Sequence, residues 1–181
     1  MQLKNLLYVA GMIMFFCSCQ DMPVGYLDTA NAKYDPDSLR VKLTLDTTAP
    51  HEKEVPNPYW QSYLDNGYTE EQLIKWGIFP TIKVMVEGED YQRFQQKIPW
   101  VSYMIQGVEG TRPINYRLVG AIKKGGGDVK ELLNHARVRG DGAVEIDLEN
   151  KIEAGEYFLD VEVSNEGYTA VLPKVIRIIV K

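Results

Sequence analysis

Apolar and polar residues alternate along much of this chain with a period of two. Leu39, Val41, Leu43 and Leu45 interleave with Arg40, Lys42 and Thr44, and Ile82, Val84 and Val86 share one side of 80–87. Tyr116, Leu118 and Ile122 are in phase. Val144, Ile146 and Leu148 alternate with Glu145 and Asp147. Tyr157, Leu159, Val161 and Val163 alternate with Glu156, Phe158, Asp160 and Glu162, and Ile176, Ile178 and Val180 close the chain. Successive strand side chains point to opposite faces, so each run predicts a strand with one face buried. The stretch 99–106 is apolar enough to predict a strand covered on both faces, and 137–139 a short one. About seven strands separated by turn residues predict a mostly-β chain, an antiparallel Ig-like β-sandwich.

Two segments break the alternation. In 46–58, Pro50, Pro56 and Pro58 predict irregular backbone, because proline removes a donor and restricts the residue before it. Thr69 and Gln72 then have the spacing of a capping box, which predicts a helix over 70–76. Gly77 sits where a helix end favours a left-handed residue. The reading is a single sandwich domain over 38–181 with a loop and short-helix insertion at 46–79. Residues 88–96 read as a polar excursion. The glycine run 125–127 reads as a loop, with Asp128 and Glu131 capping one helical turn through Leu133.

The first residues have a different pattern. Lys4 precedes an uncharged run from Leu6 to Phe16, the length of a signal core and too short to span a bilayer. Ser18 and Cys19 follow. That order resembles the bacterial lipoprotein signal, which implies cleavage before Cys19 and a lipid on its sulfur. An ordinary signal peptide or an uncleaved signal anchor would leave Cys19 incidental. On the lipoprotein reading, 1–18 is the signal and 19–37, poor in large aliphatics, is a tether. The mature protein is then lipid-anchored at the outer membrane, with its cell-surface or periplasmic face open.

Charge and cysteine count narrow the function. Twenty basic residues against 25 acidic ones give a net charge of −5, and losing Lys4 makes it one unit more negative. A chain of that sign is not a nucleic-acid binder, which needs clustered positive charge. Both cysteines, Cys17 and Cys19, lie in the signal region. The rest therefore has no disulfide, thiolate metal site or cysteine nucleophile. His51 and His135 lie in no zinc or serine-hydrolase pattern, and no cofactor is expected. Glu87, Glu89 and Asp90 form one acidic group. Asp141, Glu145 and Asp147 form another and are weak calcium candidates, because calcium favours loops rich in carboxylates. Glu145 and Asp147 also fit the solvent face of a strand. Tyr59, Trp60 and Tyr63 crowd one short stretch. Their rings suit stacking on the apolar faces of sugars, or contact with a protein. Trp76, nearby, reads as a cover for the core.

The C-terminal stretch EIDLENKIEAGEYFLDVEVSNEGY, followed by KVIRIIVK, resembles the Ig-like or cadherin-like modules of Bacteroidota surface lipoproteins. NAKYDPDSL and IPWVSYMIQGVEGTRPINY are similar to segments of uncharacterised cell-envelope lipoproteins of that phylum. Some of those accompany starch-utilisation-type glycan uptake systems. The resemblance brings no catalytic motif. It implies a non-catalytic binding or accessory component with a glycan or envelope-protein partner. A structural or adhesive protein that assembles through strand edges is the alternative. A hydrolase stands third, since it would need two carboxylates paired across a cleft.

Overall fold

The computed structural model describes residues 25–181; the expected signal and Cys19 lie outside the described residues. In chain order the elements are β1 (Leu27–Asp28), β2 (Ser38–Val41), β3 (His51–Pro56), α1 (Trp60–Asp65), α2 (Glu70–Lys75), β4 (Thr81–Val86), α3 (Tyr91–Gln95) and β5 (Trp100–Val101). They continue with β6 (Glu109–Gly110), β7 (Asn115–Lys123), α4 (Lys130–His135), β8 (Ala136–Val138), β9 (Val144–Ile146), β10 (Gly155–Asn165) and β11 (Tyr168–Val180). None of the described helices is long and apolar enough to cross a membrane.

The period-two residues build the core. Val144 and Ile146 of β9, Tyr157 and Leu159 of β10, and Ile176, Ile178 and Val180 of β11 are all buried in one cluster. Leu39 and Val41 of β2 and Trp100 of β5 join it. The sheet β2-β11-β10-β7 thus meets the sheet β5-β9-β8 across a shared apolar layer, as in a sandwich. The seven sandwich strands can be counted in order. The third, sixth and seventh are neighbours in one sheet, and the second, fifth and fourth are neighbours in the other. That is the immunoglobulin-like order. One pairing departs from the antiparallel expectation: β2 runs parallel to β11, with Ser38 opposite Arg177 and Val41 opposite Val180.

Four local expectations change in the structure. Ile122 faces solvent although Tyr116 and Leu118 pack on the core. The register between β10 and β7 shifts between Asp160 and Val161, which brings Ala121 inward in place of Ile122. An irregularity of one residue reverses the phase of everything beyond it. The strand expected over 99–106 is confined to Trp100–Val101, with Trp100 buried and Val101 exposed. Residues 51–56 are a strand despite their proline. Asn57 N–H donates to the Pro80 carbonyl, so by alternation Pro56 lies where a backbone N–H would point to solvent. Finally, the expected tether is folded from Gly25 onward. Tyr34 is buried, and its hydroxyl donates to the Gly142 carbonyl at 2.7 Å.

The sandwich has two distinct poles. At one, the Tyr26 amide donates to Thr111 Oγ1 and the Asn165 side chain donates to the Tyr26 carbonyl, next to the turn joining β10 to β11. At the other, Leu43 N–H reaches the Lys181 carbonyl, and the chain leaves for β3. Strand β11 spans the distance between them, 13 residues or about 40 Å.

Candidate functional site

Strands β3 and β4 pair antiparallel from His51–Val86 to Pro56–Thr81, and both helices of the insertion sit at the far end of this ribbon. Most residues of both strands are exposed, so the ribbon stands off the sandwich rather than packing on it. Its base is clasped. Gly88 N–H donates to the Thr48 carbonyl and Asp90 N–H to the Asp46 carbonyl. A side chain at Gly88 would put its Cβ 2.3 Å from the Asp46 carbonyl oxygen, so the approach requires glycine.

Asp90, 4% exposed, is the buried charged residue of the described chain. Its carboxylate accepts from Lys42 Nζ at 3.0 and 3.2 Å and from Asp46 N–H at 3.2 Å. Glu89 takes the same ammonium at 2.8 Å. Hydrogen bonds donated to Glu89 and then to Asp90 hold the Lys42 ammonium above the usual lysine range. Bonds from the Thr48 hydroxyl and amide hold the Asp46 carboxyl below its usual range. The raised lysine contributes stability that is complete below its unfolded pKa and lost as pH rises through the folded one. The depressed aspartate contributes stability that is complete above its unfolded pKa and lost as pH falls through the folded one. The clasp should therefore be tightest between those limits. Asp90→Asn is expected to weaken it by about 1–2 kcal/mol, because a charge-assisted acceptor becomes neutral while its shape is kept. Amide hydrogen exchange at Asp46, Gly88 and Asp90 should rise roughly tenfold while exchange in β10 and β11 is unchanged.

The tip is built on α2. Thr69 accepts from Gln72 N–H while the Gln72 side chain accepts from Thr69 N–H, the expected capping box. The helix ends at Lys75, one residue short of expectation, and Gly77 carries φ 79°. In so short a helix Leu73 alone is buried, and the aromatics stay outside. Tyr59 is 68% exposed, Tyr63 36%, Tyr68 42% and Trp76 57%. Tyr63 meets Tyr68 edge to face at 6.2 Å, and Tyr68 meets Trp76 in the same way at 5.5 Å. Such T-shaped contacts fix each ring through its neighbour while leaving a face open.

Of the three aromatics singled out in the sequence, Tyr59 and Tyr63 are exposed on the tip and Trp60 is half-buried there. Trp76, expected to cover the core, lies in the exposed ring series instead. Phe79 and Ile74 add apolar surface beside it. The sequence signal for Trp76 was its place at the helix C-cap, after the single buried position. The exposed charges of the same segment are Asp65, Glu70 and Glu71 against Lys75, so the tip is acidic.

The second acidic group is arranged differently. Arg137 binds Glu145 and, at 2.8 Å, Asp147. The hydrogen bond it donates to Asp147 and the charge of Glu145 hold its guanidinium above the usual range. His135 lies between Asp147 at 3.4 Å and Glu131 at 3.3 Å. Asp141 sits apart in a turn, accepting from the Ala143 amide and pairing with Arg139. The structure does not bring Asp141, Glu145 and Asp147 together. A guanidinium occupies the position a cation would take between the last two. Among the described residues no cluster of histidine, cysteine or carboxylates is arranged to hold a metal. The shallow groove of about 370 Å³ along Lys97, His135 and Arg137 is lined by these ion pairs.

No family model matches the chain. No curated protein sequence matches it either. Among solved structures it is similar to a SusE-like surface-located polysaccharide-binding protein from the Bacteroides thetaiotaomicron heparin utilisation locus, at 12% identity and a TM-score of 0.35. The alignment covers 83% of this chain and 27% of that one, so the chain spans about a quarter of its length.

Proposed function

We propose that this chain is a non-catalytic, lipid-anchored binding protein of the outer membrane, an accessory component of surface glycan or nutrient uptake. Cys19 carries the lipid, and the tip of the β3–β4 arm makes the recognition contact. The exposed series Tyr59, Tyr63, Tyr68 and Trp76 carries this reading. Large aromatics are costly to leave in water, and contiguous exposed groups of them mark interaction sites. Flat rings match the apolar faces of sugar rings, and the acidic surround disfavours a polyanion.

Retardation in gels containing immobilised polysaccharides tests the proposal. A neutral polysaccharide is expected to slow the wild-type chain. Tyr59→Ala and Trp76→Ala should each weaken binding at least tenfold while leaving stability within about 0.5 kcal/mol, as for exposed positions. No retardation by any polysaccharide would remove the glycan from the proposal.

A second reading, a structural or adhesive envelope protein, rests on the free edge of β4. Alternation puts the amides of Thr81, Lys83 and Met85 on that edge, and Ile82 and Met85 are exposed beside it. An unpaired edge can add a strand from a partner. Recovery of an envelope protein by the wild-type chain, abolished by Met85→Pro, would favour this reading over the first.

A further inference from the structure

We propose that the pole carrying Tyr26 and the β10–β11 turn rests against the lipid surface, so that the aromatic tip faces away from the membrane. The proposal rests on lipidation of Cys19 and goes beyond it by assigning the surface that meets the bilayer. Two observations carry it. Five residues lie between Cys19 and Gly25, and the six steps joining the two reach at most about 22 Å when fully extended. And Gly25 lies in a fixed place: its neighbour Tyr26 is bonded to Thr111 and Asn165 at one pole, whereas the arm leaves from the other. The body between them is about 40 Å long, and the six-residue strands of the arm are about 20 Å long. A lipid at Cys19 therefore keeps the first pole near the headgroups, and the arm leaves from the opposite pole.

The surface chemistry of that pole fits contact without burial. Tyr26 and Tyr168 are exposed there, and tyrosine suits the interface because its ring is apolar and its hydroxyl wet. Asp28, Glu109 and Glu166 outnumber Arg112 among the exposed charges around them. An acidic rim gives no attraction to anionic lipid. The tether and the two rings hold the pole at the surface.

The test uses the full-length chain, exported, purified in detergent and reconstituted in phosphatidylcholine vesicles. A thioether at Cys19 leaves no reactive thiol, so Glu166→Cys and Glu71→Cys each accept one fluorophore, at the proximal turn and at the tip. Energy transfer to an acceptor lipid is expected to be several-fold greater from position 166 than from position 71. Equal or reversed transfer, with the chain still floating with the vesicles, overturns the orientation while the anchor stands. Labelling of the wild-type chain at Cys19, or failure to float, overturns the anchor and the orientation with it.

Discussion

Replacing residues 49–87 with Asn-Gly is expected to yield a folded sandwich that has lost all binding made by the tip. Gly88 N–H already donates to the Thr48 carbonyl at 2.8 Å, so the two cut ends are hydrogen-bonded neighbours. Asn-Gly supplies the backbone of a two-residue hairpin turn. The clasp of Lys42, Asp46 and Asp90 lies outside the deletion and is retained. The buried residue lost is Leu73, which belongs to the tip and not to the core cluster. Shortening a long loop lowers the entropy cost of closing it, which offsets any lost contact. Calorimetry should show the sandwich transition moved by no more than about 1 kcal/mol, with polysaccharide retardation abolished. Loss of cooperative unfolding would mean instead that the arm is part of the core.

The opposite result is expected at Tyr157. Its side chain is buried in the strand that lies between β7 and β11, and its hydroxyl donates to the Glu153 carbonyl at 2.9 Å. Tyr157→Ala removes the ring and leaves a cavity, at a cost of about 3–5 kcal/mol. Domains of this size have a total stability of about 5–15 kcal/mol. Thermal melting should fall by about 10–20 °C. Tyr157→Phe loses the hydrogen bond alone and should cost about 1 kcal/mol. A melting point within a few degrees of wild type for Tyr157→Ala would remove that ring from the core.

These contrasting effects follow the division between what could and could not be read from residue order. The sandwich was legible because Val144, Ile146, Leu159 and Ile178 sit in runs whose period matches the pleat, and one buried face enforces that period. The capping box at Thr69 was legible because its two bonds lie within four residues. Ile122 was not, since the shift that turns it outward belongs to the pairing of Asp160 and Val161 in another strand. Tyr34 was hidden among prolines and aspartates, and its burial depends on Gly142 far along the chain. For the candidate site, the crowding of Tyr59, Trp60 and Tyr63 marked a segment whose rings stand exposed or half-buried. Its detachment from the sandwich was not legible, because alternation in β4 shows that a face is apolar but not whether anything covers it.

The parallel pairing of β2 with β11 has a mechanical consequence. On the proposed function, a protein that grips a polymer at one end and a membrane at the other works under tension. Here the segment 25–46 runs from the pole carrying Tyr26 to the base of the arm through β2. A pull between the two ends is carried along that one stretch of covalent backbone and on through 47–50 into β3, with the Asp46–Asp90 clasp bonded across the base of the arm beside it. The β10–β11 hairpin and the buried layer beneath it lie beside this load path rather than in series with it. The clasp sets the angle at which the arm meets this path, so opening it lets the arm pivot while the sandwich stays folded.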